Sequence, residues 1–464
     1  MSDFMFDEFE AVSAKQWKQK IQFDLKGADY NDTLVWQSLE GIHVKPFYHK
    51  DDFSNEFLPI PGQPSQWSIG QFIFIDNPEI ANKLALDAIN RGATAIYFSA
   101  NASKTSNDPQ AELAFEFQKV FQDFPFEKAT IYFKFQFLKP DFLTRLISFL
   151  SEKNATVFYN LDPLGNLART GNWFYNQRTD SELLAKIIRT NTSSSILSID
   201  TTLYENAGAN KVQQLAYALA HANEYLTALD LSNHTITFEA SIGGNYFFEI
   251  AKIRALRKLY AALATEYGIN TNCHVIARPS KRNKTLYDYN LNMLRTTTEC
   301  MSAIIGGADT ICNLPYDNLY HKSNEFGERI ARNQLLVLKS ESYFDMVSNA
   351  GDGSYYIESL TEELAQKALE LFKGIEKNGG FLQQLKQGTL QNKIKDSAKK
   401  EQQLFDEGKL ILVGTNKYQS ELDHMKDELE LYPFVKRNPR QTAIAPILEN
   451  RLAEASEQER LSHE

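Results

Sequence analysis

The run TIYFKF at residues 130–135 is short and dominated by β-branched and aromatic residues, the signature of a strand buried on both faces. Working outward from it, similar runs occur at QFIFID (71–76), TAIYFS (94–99), TVFYNL (156–161), SILSID (195–200), TITFEA (235–240), NCHVIA (272–277) and DTICNL (309–314). Between them lie segments with helical periodicity: ANKLALDAINRG (81–92), AELAFEFQKVFQDF (111–124), VQQLAYALAHANEYL (212–226) and NYFFEIAKIRALRKLYAAL (245–263). About eight alternations of strand and helix predict an α/β fold of the (β/α)8 barrel type. A doubly wound open sheet is the rival, and the lack of a glycine-rich dinucleotide turn after the first strand weakens it.

The barrel is expected over residues 67–380. Residues 1–66 read as an N-terminal arm, too short for a core of its own. Ser13 is placed to cap a helix whose apolar positions Trp17, Ile21 and Leu25 recur at helical spacing. The arm carries Phe4, Phe6, Phe9, Trp17, Phe23, Trp36, Phe47 and Tyr48, so its rings must be covered by its own barrel or by a partner. PIPGQP (59–64) reads as a linker turn. Residues 381–464 read as a C-terminal linker and tail. Within them, 393–418 suggests a charged helix, a glycine turn and a short strand, and ENRLAEASEQERLSHE (449–464) a polar helix or a frayed end.

Hydrophobic residues make up 43% and charged residues 23% of the 464, the balance of a soluble globular chain. The net charge of -10 repels phosphate backbones and anionic lipid, which argues against nucleic-acid and membrane partners. The N-terminus has no apolar stretch after a basic start, and no run approaches the roughly 20 residues of a membrane span. Cys273, Cys300 and Cys312 form no C-x-x-C pair; they fit a reduced, cytoplasmic protein and no zinc site. No metal pairing is evident among His43, His49, His221, His234, His274, His321, His424 and His463, and His274, inside a strand, reads as a core residue.

Six longer stretches carry a family resemblance. They are WKQKIQFDLKGADYNDTLVWQSLEGIHVKPFY (17–48), FFEIAKIRALRKLY (247–260), RTTTECMSAIIGGADTICNLPYD (295–317), ERIARNQLLVLKSES (328–342), GDGSYYIESLTEEL (351–364) and GKLILVGTNKY (408–418). In order and content they resemble the methylmalonyl-CoA mutase family over nearly the whole chain. That resemblance implies a barrel threading acyl-CoA along its axis, followed in the catalytic chain by a flavodoxin-like cobalamin-binding domain. Radical rearrangement of methylmalonyl-CoA to succinyl-CoA is chemistry that adenosylcobalamin supplies.

Several residues that the family's catalytic chain uses have no counterpart. Its cobalt-ligating motif, Asp-x-His-x-x-Gly, is not found; LDHMKD (422–427) sets Asp423 directly beside His424 with no glycine following. The sequence ends where the cobalamin domain, of roughly 100 residues, would begin, so none is expected here. In IDTTLYENAGA (199–209), Leu203 stands where the catalytic His should be and Thr202 where the Tyr should be. Leucine has no proton to donate to a thioester carbonyl. FIFIDNPE (72–79) lacks the Tyr and both Arg of the corresponding catalytic segment, and Tyr287 replaces a Gln. Within YNLDPLGNLARTGNW (159–173), Arg169 falls within about one position of the Arg that pairs the substrate carboxylate. Rings in IYFS, IYFKF and VFYN either plug the barrel axis or face the outer helices.

Arg254 matches a CoA-contacting helix position and is read as a vestige or a helix-pairing residue. Arg295 and Asn333 are expected to be structural, and Glu249 to satisfy backbone or an arginine. GGAD (306–309) reads as a helix-ending turn. The resemblance therefore implies a non-catalytic small subunit with no catalytic, cofactor or metal residue of its own, adenosylcobalamin and acyl-CoA being held by a large catalytic subunit. One alternative is a mutase barrel that borrows a separate cobalamin-binding protein. Another is a different barrel enzyme using Glu239 or Asp200 at strand ends.

Overall fold

The computed structural model describes residues 9–54, 56–100, 116–191, 195–435 and 440–464. Phe4, Phe6 and the start of the predicted 111–124 helix lie outside them; the described part of that segment is a short helix, Phe117–Val120. Two strands, β1 (Trp36–Gln37) and β2 (His43–Val44), pair antiparallel in the arm. Eight parallel strands follow: β3 (Ser68–Ile75), β4 (Ala95–Ala100), β5 (Thr130–Phe135), β6 (Val157–Phe158), β7 (Ser198–Asp200), β8 (Thr237–Ile242), β9 (His274–Pro279) and β10 (Thr310–Cys312).

Their spatial order, β6-β5-β4-β3-β10-β9-β8-β7, is chain order run around a ring. The ring joins at β6 and β7 through the parallel Leu161–Leu197 bridge. Tyr159 N donates to Ser195 O and Leu161 N to Ile196 O at 2.8 Å each, extending that joint. This is the TIM-barrel-like α/β fold that the strand–helix alternation predicts. All eight expected runs contain a strand.

Period-two alternation gives each strand an outer and an inner face. Ile96, Phe98, Ile131, Phe133, Ile199, Phe238, Val275 and Ile311 point outward into one large apolar core shared with the helices. Each such fully buried side chain contributes roughly 1.5–3 kcal/mol. The inner face forms a second, separate cluster of Ala95, Tyr97, Tyr132, Ile276 and Cys312, with Phe72 and Phe158 packed on it.

The arm lies on its own barrel. Ser13 caps the helix Ala14–Asp24 in a reciprocal box with Gln16. Trp36 meets Phe248 edge-on at 5.8 Å, Tyr48 meets Tyr356 at 5.1 Å and Phe53 stacks on Tyr355 at 5.6 Å. Trp17 and Phe23 nonetheless remain largely exposed.

In the C-terminal part, helices Tyr355–Lys377, Gly380–Lys386 and Thr389–Asp406 precede an irregular stretch and the final helix Glu454–His463. The short strand expected in GKLILVGTNKY is a turn instead, with one isolated Val413–Lys417 bridge. Its backbone is satisfied locally: Asn416 accepts from Leu412 N at 2.8 Å and donates to Phe405 O and Leu410 O. A side chain therefore does what a neighbouring strand would otherwise do. Among the described residues no helix is long and apolar enough to cross a membrane, and no second, flavodoxin-like sheet accompanies the barrel.

Candidate functional site

In barrels of this kind the C-terminal ends of the strands are where chemistry is assembled. Here they gather charge. Lys134 near the end of β5 sits 2.5 Å from Asp200 at the end of β7 and 3.5 Å from Glu239 on β8. Arg278 on β9 reaches Glu239 at 2.9 Å. Arg169, in the helix Pro163–Thr170 that follows β6, reaches Asp200 at 2.7 Å and also pairs with Glu449. Burial alone would raise the Asp200 carboxyl, but Lys134 and Arg169 outweigh it and hold it well below the usual carboxylate range. Both carboxylates offered by the strand ends are thus already consumed by cations.

Below this layer the axis is filled with rings. Phe72 stacks on Tyr97 at 5.6 Å, Tyr97 on Tyr132 at 6.0 Å and Tyr132 on Phe158 at 4.8 Å. His274 closes the column, 4.2 Å from the Phe158 ring and 2.9 Å from Tyr132 Oη. Tyr132 Oη also meets Thr310 Oγ1 at 2.7 Å. The Arg278 guanidinium lies 4.0 Å above the Tyr97 ring, tying the column to the charged layer. Tyr97 is 0% and Tyr132 1% exposed. A β-carbon added at Gly70, on the inner face of β3, would collide with Cys312 Sγ. Of the two placements open for the strand aromatics, each strand realises both: Tyr97, Tyr132 and Phe158 point in, while Phe98, Phe133 and Tyr159 point out.

A third feature lies across the mouth. Ile444 N donates to Gly171 O, Ile447 N to Ala168 O, Asn450 N to Asn206 O and Leu452 N to Arg282 O, all at 2.8–3.1 Å. Arg282 Nη1 returns a bond to Asn450 O at 2.9 Å. The segment 444–452 therefore spans the loops that follow β6, β7 and β9. It is anchored beyond by the buried Arg451–Glu457 pair and by Arg460, whose guanidinium stacks 3.8 Å from the Tyr287 ring. A cavity of 390 Å³ remains beside it, lined among others by Asn206, Lys281, Tyr432 and Glu449.

The residues singled out in the sequence divide into two groups. Arg169, Asp200, Thr202 and Glu239 meet at the mouth; the Thr202 hydroxyl donates to Asp200 Oδ1. Leu203, one residue on in the helix Thr202–Asn206, is 1% exposed and belongs to the main apolar core. The others serve the scaffold. Arg254 is 0% exposed and ties its helix, Tyr246–Tyr267, to Asp352, to Glu358 at 2.6 Å and to Thr361 at 3.3 Å. Glu249 pairs with Lys252 at 2.5 Å and Lys211 at 3.3 Å, lysines where an arginine was expected, and accepts from the Gly243 backbone as the backbone expectation has it. Arg295 bonds Thr285, Asn292 and Val413 O, and Asn333 is exposed. His221 holds Asp162 at 2.9 Å and Tyr204 at 3.1 Å. Gly307 of the GGAD turn takes a left-handed φ of 88°, ending the helix Leu291–Ile305 as expected. Among the described residues no group of three His, Cys, Asp or Glu side chains could hold a metal ion.

Lys134, Arg278 and Glu449 were not found from sequence. The first two had a signal: a lone charge inside a strand buried on both faces must find a partner. Glu449 had none, because its role depends on the tail folding back.

Residues 37–462 match the methylmalonyl-CoA mutase family model. The chain is 31% identical to the methylmalonyl-CoA mutase small subunit of Porphyromonas gingivalis, over 92% of this chain and 73% of that one. It is 28% identical to the methylmalonyl-CoA mutase small subunit of Streptomyces virginiae, over 83% of this chain and 67% of the relative. Against the methylmalonyl-CoA mutase of Cereibacter sphaeroides the identity is 28%, covering 87% of this chain and 64% of the relative. Motif order, barrel and family match agree, and the chain belongs to the methylmalonyl-CoA mutase family of isomerases.

Proposed function

We propose that this chain is the non-catalytic small subunit of a heterodimeric, adenosylcobalamin-dependent methylmalonyl-CoA mutase. It supports a large subunit that isomerises methylmalonyl-CoA to succinyl-CoA. The observation that carries the reading is the ring column Phe72–Tyr97–Tyr132–Phe158, which occupies the axis an acyl-CoA would have to thread. Core packing at native density leaves no path past such rings without moving several of them.

Three further observations support it. Leu203 offers no hydrogen bond to a thioester carbonyl. Arg169, the one residue near the place of a carboxylate-pairing Arg, is engaged by Asp200 and Glu449. The relatives from Porphyromonas gingivalis and Streptomyces virginiae carry the name small subunit. In this reading Arg254 is structural, residues 1–66 are an arm for subunit contacts, 67–380 the barrel, and 381–464 a linker and tail.

Adenosylcobalamin does not fit the described residues. The mouth against which a corrin would lie is crossed by 444–452, and His221 and His274 are committed to Asp162 and Tyr132. The cofactor therefore belongs to the partner in this proposal, and the cytoplasm is the setting.

Co-expression with a longer homologue bearing Asp-x-His-x-x-Gly tests the assembly. A stable one-to-one complex on size-exclusion chromatography is the expected result. A chain that stays monomeric in the presence of that homologue overturns the proposal.

A further inference from the structure

A cluster of buried charge joins the arm to the barrel, and its signs do not balance. Glu205, in the helix Thr202–Asn206, is 8% exposed. Among the described residues it has no cation within ion-pair distance, and its side-chain hydrogen-bond donor is the Gln214 amide. Glu249, 0% exposed, takes both nearby lysines, Lys252 and Lys211. The two carboxylates converge on the loop after β8: a β-carbon added at Gly243 would lie 2.7 Å from Glu205 Oε1 and 3.3 Å from Glu249 Oε1. Lys252 is tied further to Ser241 O at 2.6 Å and to Gln214 Oε1 at 2.9 Å. Lys211 reaches back to the arm: its Nζ stands 4.0 Å from Glu40, and its backbone N–H donates to the same carboxylate at 3.4 Å. Glu401 and Glu299 also face the cluster, but each is already paired, with Arg282 and with Lys284. Three carboxylates, Glu40, Glu205 and Glu249, are left to share two lysines.

We propose that Glu205 and Glu249 share one proton, held on Glu205, and that its loss loosens the arm at Glu40, making the cluster a pH-sensitive latch between arm and barrel. Two ionised carboxylates converging in a buried site repel, so one of them keeps its proton. The lysines decide which. Burial alone would raise the Glu249 carboxyl, but Lys252 and Lys211 outweigh it and lower it. Burial raises the Glu205 carboxyl, Glu249 and Glu401 push the same way, and the pull of the more distant lysines does not overcome them. With the proton on Glu205 the cluster carries two negative charges against two positive ones. Without it, a third negative charge is held where little water reaches. Glu205 and Glu249 are built into barrel helices, whereas Glu40 sits in the turn of the arm hairpin between β1 and β2, so the arm gives way first. The sign follows from the raised carboxyl. Its stabilisation of the docked arm is fully present below the ordinary carboxylate range and is lost as pH rises from there through the raised value.

The test is hydrogen exchange of the full chain, read by mass spectrometry on peptides covering the hairpin 36–44 and corrected for the intrinsic pH dependence of exchange. Between about pH 5 and about pH 9 the wild type is expected to lose about tenfold in protection there, because a carboxyl that titrates about one pH unit higher in the docked state changes the docking equilibrium about tenfold. Glu205→Gln, which keeps the shape of the neutral acid, is expected to hold the arm docked across the whole range. Glu40→Gln removes one of the three negative charges and is expected to flatten the profile as well. Protection in β8, inside the barrel, is expected to stay constant. A flat wild-type profile, a profile that Glu205→Gln or Glu40→Gln leaves unchanged, or an equal loss of protection in β8 overturns the proposal. The measurement needs no partner, so its failure is separate from failure of the subunit reading, which co-expression measures.

Discussion

Across β3 to β6 the inward positions carry Phe72, Tyr97, Tyr132 and Phe158 below the mouth, whereas across β7 and β8 the inward positions, from below the mouth up to it, carry Ser198, Asp200, Thr237, Glu239 and Ser241. Both halves share one backbone plan and one register of alternation. The polar half keeps small and acidic side chains such as a ligand channel would want. The aromatic half extends across the axis and fills it. Among the described residues the Ser198 and Thr237 hydroxyls of the polar half and the Tyr97 hydroxyl of the aromatic half are buried without a hydrogen-bond partner. In the proposed subunit reading, the contrast teaches that access to a barrel closes when one side of it grows inward while the other keeps small and acidic side chains.

Removing the centre of the aromatic half is the most severe way to break this contrast. Tyr132→Ala deletes the ring that touches Tyr97, Phe158 and His274, and should cost about 3–5 kcal/mol in chemical denaturation. A loss under about 1 kcal/mol would mean that the column is not packed. Restoring the imidazole at the other half is the next test. Leu203→His should destabilise by about 3 kcal/mol, because a polar ring enters the apolar core, and should yield no isomerase turnover with added adenosylcobalamin.

Asp200→Asn probes the charged layer that joins the halves. It leaves Lys134 and Arg169 undercompensated, and because both are partly exposed the loss should be about 2 kcal/mol. The sign of its pH dependence follows from the lowered carboxyl pKa. The stabilisation is fully present above the unfolded value, about pH 4, and is lost as pH falls through the folded value. The wild type should therefore lose stability below about pH 4 more steeply than the Asn variant, as acid titrations followed by circular dichroism would show. The smallest effect is expected at Phe74, inward on β3 but 45% exposed at the open end. Phe74→Ala should change stability by about 0.5 kcal/mol or less, marking where the packed column stops.

Much of this was legible in the sequence because strands and helices have different hydrophobic periods. The runs at 94–99 and 130–135 show their strands plainly, and Leu203 and Thr202 are visible as substitutions once the motif is aligned. Which ring of Ile-Tyr-Phe points inward was not legible. A shift of one residue exchanges the two faces of a strand, and both faces of these strands are apolar. The covering of the mouth was hidden for a different reason. ENRLAEASEQERLSHE shows only a polar helix, and its anchoring depends on Arg169, Arg282 and Tyr287, more than a hundred residues away in the chain. The expected strand at 408–418 failed because Asn416 supplies the backbone partners within its own turn.

The most direct measurement is equilibrium dialysis of the isolated chain against methylmalonyl-CoA and adenosylcobalamin, with succinyl-CoA assayed in the same cell. A filled axis and a crossed mouth predict retention of neither ligand above buffer and no succinyl-CoA. Stoichiometric retention of both, with isomerisation, would contradict the account.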